Sequence, residues 1–153
     1  MKRLCLFLLF LTVIACEKIP ENPVWGIVNL RLDLNNRDKV LRGIPSYKTF
    51  SLSKPGIDYN PQLNERIGMG GLLVVHTSFD TWIAFDLACP NEQTPNRNTI
   101  VEVDEDGINA VCSHCGTKYQ IMDGTGINLD GKKFGLRSYP VTMSSGSTRI
   151  VTN

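Results

Sequence analysis

Three cysteines in the second half of the chain are the residues best suited to chemistry. Cys89 opens a C-P-N motif directly after an apolar segment, and Cys112 and Cys115 stand in a later C-S-H-C-G motif. The thiolate form of cysteine is both a nucleophile and a strong ligand for zinc and iron. The pattern therefore predicts a thiol or metal site.

The beginning of the chain has the pattern of an export signal. Lys2 and Arg3 precede an uncharged apolar run, residues 4–15, which is shorter than the roughly 20 residues of a transmembrane helix. The run ends in V-I-A-C, which resembles a bacterial lipobox and implies acylation of Cys16. We predict a signal peptide over residues 1–15, a lipidated tether over residues 16–23, and anchoring at the periplasmic face of a membrane or at the cell surface. An ordinary signal peptide with a chance cysteine is the alternative.

Export makes the cysteine count informative. The sequence has 5 cysteines, of which Cys5 would leave with the signal peptide and Cys16 would carry lipid. The remaining three form an odd set in an oxidising compartment, which indicates a free thiol, an intermolecular disulfide or a metal site.

The order of motifs around these cysteines resembles the Rieske domain family. After C-P at Cys89 and C-x-x-C-G at Cys112 come Tyr119, a D-G-T-G turn and a closing apolar segment. The resemblance covers residues 72–151. It implies an all-β domain in which two loops meet over a [2Fe–2S] cluster, each loop giving one cysteine and one histidine. It also implies a non-catalytic electron carrier that works with a redox partner protein, anchored to the membrane through Cys16.

The ligand set departs from that family, and three alternatives remain open. Asn91 and Cys115 stand at the two histidine positions, and His114 lies one residue early. A modified [2Fe–2S] centre would use Cys89, Cys112 and Cys115, with Asn91, His114 or an external group as the fourth ligand, and its potential would be lower because thiolate replaces imidazole. A cluster-free domain would carry a disulfide between Cys112 and Cys115 or between Cys89 and Cys112, and would serve as a binding or scaffold subunit. A structural zinc site would use the three cysteines with His114.

Composition and the remaining motifs exclude several other functions. The net charge is +1 and no basic stripe interleaves with aromatic residues, so nucleic-acid binding is not expected. The glycines at residues 68–71 precede a strand, which is not the setting of a phosphate-binding loop. The acidic residues 104–106 occupy a turn and lack calcium-ligand spacing. His76 lies within a strand and is interpreted as structural.

Short apolar segments separated by turn residues make up the rest of the chain. They predict strands at residues 24–34, 47–52, 72–77, 82–87, 99–103, 108–111, 119–122, 136–143 and 148–152. Many short strands at regular spacing predict one all-β domain over residues 24–153, a Rieske-like small β-sandwich or barrel with two cluster-type loops. The chemistry depends on whether this fold brings Cys89 to the Cys112 motif.

Overall fold

The computed structural model describes residues 19–153, so the predicted signal peptide and Cys16 lie outside the described residues. The described part is almost entirely β-structure, with two short 3₁₀-helices at Lys39–Arg42 and Pro61–Leu63. The strands are β1 (Val28–Asp33), β2 (Ser46–Phe50), β3 (Arg66–Ile67), β4 (Leu72–His76), β5 (Trp82–Asp86), β6 (Val101–Val103), β7 (Asn109–Cys112), β8 (Lys118–Gln120), β9 (Ser138–Ser145) and β10 (Thr148–Thr152).

Seven strands form a nearly closed antiparallel barrel in the order β2-β4-β5-β9-β10-β1-β3, and β6-β7-β8 form a small second sheet. The all-β prediction is therefore confirmed, and the architecture is the barrel rather than the sandwich. All nine predicted strands are present, several of them shorter than expected. The sequence analysis missed β3 and both helices, because a two-residue strand and helices of about one turn carry no hydrophobic periodicity.

Strand β4 separates two hydrophobic cores. Its alternate residues Leu72 and Val74 belong to the core inside the barrel, whereas Leu73 and Val75 belong to the core between the barrel and the second sheet. Successive side chains of a strand point to opposite faces, so a strand covered on both sides must be apolar throughout. The run L-L-V-V is therefore explained by the small sheet packing on the barrel wall. Cys89 and Cys112 both belong to the second core.

His76 has a structural role at the end of β4. Its side chain is buried, with Nδ1 2.9 Å from the Leu41 carbonyl oxygen and Nε2 2.7 Å from Asp80. The ring also stacks on Trp82 with centroids 4.1 Å apart. These contacts agree with the interpretation of His76 as structural.

The segment before β1 is exposed at Ile19 and first becomes buried at Val24. Asn22 ties it to the domain, since its side-chain amide donates to the Gly135 carbonyl at 2.9 Å. Within residues 19–153, no helix has the length and apolar character needed to cross a membrane.

Candidate metal site

The backbone after β5 holds Cys89 against the second sheet. The Cys89 amide donates to the Thr99 carbonyl at 2.9 Å, and Ala88 forms an antiparallel bridge with Ile100. Pro90 then ends the extended run, because proline has no N–H to continue a ladder. Cys89 is fully buried at this point.

A buried carboxylate stabilises the approach to Cys89. Asp86, fully buried at the end of β5, accepts hydrogen bonds from the backbone amides of Met69 and Gly70 at 2.8 Å each and of Ala88 at 2.9 Å. The Tyr139 hydroxyl donates to the same carboxylate at 3.2 Å. Burial raises the pKa of Asp86 above its ordinary value, although these four bonds act in the opposite direction. The carboxylate thus joins the turn before β4 to the start of the Cys89 loop.

Cys112 and Cys115 occupy the tight turn between β7 and β8. The Cys112 amide donates to the Thr117 carbonyl at 3.0 Å, and the Gly116 amide donates to the Cys112 carbonyl at 2.9 Å. Gly116 has φ +71°, a left-handed conformation that glycine adopts without strain. This local geometry turns the chain so that both sulfurs face the Cys89 loop. Cys112 is buried and Cys115 is exposed.

The two loops meet at a cluster of four ligand atoms. One ligand atom from each of Cys89, Glu92, Cys112 and Cys115 lies within 4.8 Å of all the others. The Sγ atoms of Cys89 and Cys115 are 3.7 Å apart, and Cys112 Sγ is 3.5 Å from Glu92 Oε1. The predicted convergence of Cys89 with the Cys112 motif is therefore present, and the four groups are placed to hold a metal ion.

Burial and hydrogen bonds set the protonation of these ligands. Burial raises the pKa of Cys89, and it raises the pKa of Cys112 to about 12. Burial also acts to raise the pKa of Glu92, but hydrogen bonds from Cys115, His114 and Cys112 outweigh it and the pKa is lowered. Without metal, the Cys89 and Cys112 thiols are therefore neutral and the Glu92 carboxylate is ionised. A cation would have to displace the thiol protons.

Hydroxyl groups contact two of the sulfurs. The buried Tyr119 hydroxyl lies 3.1 Å from Cys89 Sγ, and the buried Thr117 hydroxyl lies 3.0 Å from Cys115 Sγ. Burial raises the pKa of Tyr119, and its hydrogen bond with Cys89 acts in the same direction, so the phenol stays protonated. Such outer-shell partners orient metal ligands and adjust their donor strength.

The two other candidate ligands, Asn91 and His114, lie beside the cluster. The Asn91 side chain pairs with the Phe134 backbone and donates to Tyr119, so it reaches the sulfurs only through that hydroxyl. The His114 side chain is 69% exposed and places Nδ1 2.9 Å from Glu92 Oε2. The fourth group in the cluster is thus Glu92 rather than His114.

The disulfides considered from the sequence are not formed. Cys89, Cys112 and Cys115 are all free cysteines. The pair with Sγ atoms 3.7 Å apart is Cys89 with Cys115, and a disulfide bond is about 2.05 Å long. The predicted disulfides Cys112–Cys115 and Cys89–Cys112 are therefore absent, because the three sulfurs lie together in one cluster as free thiols.

Glu92 is a candidate ligand that the sequence analysis missed. It follows Cys89 by three positions on the same loop, and its side chain is only 10% exposed. A carboxylate that close to a loop cysteine is a usable signal, because carboxylate oxygen is an accepted zinc ligand. The sequence predicts Asn91 as a ligand instead, because the Rieske resemblance implies a histidine ligand at that position.

Searches against protein-family models, curated proteins and solved structures gave no match for this chain. The class of protein therefore follows from the site itself: an all-β domain with a cluster of three cysteines and one glutamate placed to bind a metal ion.

Proposed function

We propose that this domain binds a single tetrahedral metal ion, zinc, through Cys89, Cys112, Cys115 and Glu92. The observation that carries the proposal is the mutual distance of at most 4.8 Å among the four ligand atoms. Zinc–sulfur bonds of about 2.3 Å in a tetrahedron place two sulfurs about 3.8 Å apart. The 3.7 Å between Cys89 and Cys115 Sγ supports this arrangement.

The donor set supports a structural rather than a catalytic ion. All four positions of the tetrahedron are taken by protein ligands, whereas catalytic zinc sites leave one position for water or substrate. Two of the ligands lie on the loop after β5 and two on the turn between β7 and β8. An ion held here crosslinks the small sheet to the barrel wall, and its binding free energy adds to the stability of the fold. An open groove of about 590 Å³, bordered by Cys115, Glu92 and His114, gives an entry path.

The second candidate is a lipid-anchored electron carrier with a modified [2Fe–2S] centre. The observation that favours it is the pair of hydroxyls, Tyr119 and Thr117, at the sulfurs of Cys89 and Cys115. Hydrogen bonds to sulfur are among the factors that set the potential of an iron–sulfur cluster. Two irons hold their ligands as two separated pairs, so this candidate requires the loops to open relative to the single cluster of ligand atoms. Such a carrier would also need a redox partner protein.

Metal and sulfide analysis separates the two candidates. The full chain is purified anaerobically, and zinc, iron and acid-labile sulfide are measured per protein. One equivalent of zinc without sulfide supports the mononuclear site. Equimolar iron and sulfide, with an electron paramagnetic resonance signal after reduction, supports the carrier. A protein that takes up neither metal, even when reconstituted, contradicts both.

Matched variants assign the ligands. Glu92→Gln should lower zinc affinity at least tenfold, because a neutral amide replaces a negatively charged ligand. Glu102→Gln changes an exposed carboxylate on β6 outside the cluster and serves as the control with unchanged affinity. Cys112→Ser should abolish stoichiometric binding. Equal affinities for Glu92→Gln and Glu102→Gln would exclude Glu92 from the site.

The lipid anchor at Cys16 is a separate proposal, supported by the positively charged start, the apolar run over residues 4–15 and the V-I-A-C motif. Export and acylation would place the domain at a membrane surface on a short tether. The test compares the wild-type chain with Cys16→Ala in a bacterial host. The wild type should fractionate with membranes and carry the mass of attached acyl chains, and Cys16→Ala should not. A wild-type protein with an unmodified Cys16 would contradict the anchor.

A further inference from the structure

The side-chain amide of Asn91 has a fixed orientation. Its Oδ1 accepts from the Phe134 amide at 3.0 Å, and its Nδ2 donates to the Phe134 carbonyl at 2.7 Å. Rotating the amide by half a turn would put oxygen against oxygen and N–H against N–H, so both bonds would be lost. The backbone of Phe134 therefore determines which side of Asn91 carries the nitrogen.

This orientation decides the direction of the next hydrogen bond. The second N–H of Asn91 points to the Tyr119 hydroxyl oxygen, with Nδ2 at 2.8 Å. An amide nitrogen donates and does not accept, so the Tyr119 proton has to go elsewhere. Within residues 19–153, the other hydrogen-bond partner of that hydroxyl is Cys89 Sγ at 3.1 Å. Tyr119 consequently donates, and Cys89 Sγ accepts.

We propose that Asn91 is a positioning residue that fixes the Tyr119 hydroxyl as a donor to Cys89 Sγ and thereby orients this sulfur and adjusts its donor strength in the metal site. The inference rests on the proposed metal site and adds a role for a residue that is not itself a ligand. The Tyr119 hydroxyl at 3.1 Å is an outer-shell partner of this sulfur, and such partners orient a ligand and change its affinity for the metal. The relay runs from the Phe134 carbonyl through Asn91 and Tyr119 to the sulfur.

The test uses cobalt(II) as a spectroscopic probe of the full chain. Asn91→Asp keeps the size of the side chain but replaces the donating N–H with an acceptor, which draws the Tyr119 proton away from Cys89. The expected result is cobalt affinity lower by about 10–100-fold, the usual effect of losing an outer-shell partner. The thiolate-to-cobalt absorption band should move to lower energy, because the sulfur loses its hydrogen bond. The added negative charge would by itself strengthen cation binding, so weakening identifies the relay.

Two further variants distinguish the relay from a structural effect. Tyr119→Phe should give the same loss of cobalt affinity and the same band shift as Asn91→Asp. The variant that combines both substitutions should bind cobalt no more weakly than either single variant, because each substitution breaks the same chain of hydrogen bonds. Asn128→Asp is the matched control, since the Asn128 amide also donates to the Phe134 carbonyl, at 3.0 Å, with Lys132 as its other partner. Its affinity and spectrum should equal those of the wild type.

The outcomes separate this inference from the metal proposal. A wild-type chain that binds no cobalt overturns the metal site, and the relay falls with it as an element of metal binding. A wild-type chain that binds cobalt, with an Asn91→Asp spectrum and affinity unchanged, overturns the relay alone. Additive losses from Asn91→Asp and Tyr119→Phe also overturn it. If Asn91→Asp does not fold, nuclear magnetic resonance on the wild type decides: a nuclear Overhauser effect between the Tyr119 hydroxyl proton and the Cys89 β protons is expected, and its absence refutes the donor direction.

Discussion

The carboxylate of Asp86 gives the sharpest stability prediction. It is fully buried and accepts three backbone amide bonds, from Met69, Gly70 and Ala88, together with the Tyr139 hydroxyl. In Asp86→Ala the three amides lose their acceptor without gaining water. In Asp86→Asn one oxygen remains, and the new amide nitrogen faces at least one donor that it cannot pair.

The magnitude follows from the number of donors left unpaired. Each buried polar group without a partner costs about 1–3 kcal/mol. Asp86→Asn leaves one backbone amide unpaired, at Met69 when the remaining oxygen keeps Gly70 and Ala88, so the expected loss is about 1–3 kcal/mol. Asp86→Ala leaves all three unpaired and should lose about 3–9 kcal/mol, which is most of the 5–15 kcal/mol of a typical domain.

Urea unfolding followed by circular dichroism measures these losses. Asp130→Asn is the control, because Asp130 is exposed and accepts a single backbone bond, from Lys118 at 2.7 Å. Its loss should stay within about 1 kcal/mol. The unfolding midpoints should therefore rank wild type and Asp130→Asn above Asp86→Asn, and Asp86→Ala lowest.

A midpoint for Asp86→Ala equal to that of the wild type, with an unchanged slope, would refute the reasoning. It would mean that Met69, Gly70 and Ala88 find other acceptors or that the turn before β4 contributes nothing to stability. Cobalt binding provides a second readout, since Ala88 immediately precedes Cys89. Asp86→Asn should weaken binding even where the domain remains folded.

Three further predictions concern pH and packing. Burial raises the pKa of Cys89 and raises that of Cys112 to about 12, so zinc binding must release at least two protons. Zinc affinity should therefore rise about a hundredfold per pH unit between pH 6 and 8. A zinc affinity that does not change with pH in a chelator competition titration would contradict neutral thiols at Cys89 and Cys112. Backbone hydrogen bonds from Ile108 and Asn109 lower the pKa of Asp106 below 3.8. The Asp106 carboxylate therefore stabilises the fold above pH 3.8, and this contribution is lost as the pH falls through the pKa of the folded state. The carboxyl resonance of Asp106 should titrate with the lowered pKa, and titration at the ordinary value would exclude the effect. Gly70→Ala would place Cβ 2.3 Å from the Ala88 nitrogen, so we expect a lower thermal midpoint and weaker zinc binding. Gly131→Ala is the control, because no atom lies within 4 Å of its Cβ. It should lose stability only through the backbone strain of its φ of +64° and should keep wild-type zinc affinity.

Periodicity and turn residues were sufficient to predict nine of the ten described strands. The alternation L-R-L-D in β1 and the unbroken L-L-V-V of β4 each indicate a strand, and both are found. The reason is that burial of alternate or continuous apolar residues is a local pattern that tertiary structure must satisfy. Periodicity did not show that one face of β4 packs inside a barrel while the other packs against a separate sheet. Both hydrophobic cores are formed by the same apolar residue types, so the sequence does not distinguish them.

The site was only partly predictable for a related reason. Cys89, Cys112 and Cys115 stood out by type and spacing, and these three do meet. The fourth group, Glu92, was not recognised, because its distance from the sulfurs depends on how the loop after β5 bends. Asn91 was taken for a ligand position, yet the Phe134 backbone, 43 residues away in sequence, turns its amide toward Tyr119.

Residue type and periodicity are properties of the chain, and they were enough to predict the all-β class, the positions of nine strands and the three cysteines of the candidate site. The closure of the barrel, the carboxylate among the thiols and the direction of the hydrogen bond to Cys89 became known only from the folded structure. These depend on contacts between residues distant in sequence, and no local pattern records which distant backbone group a side chain will meet.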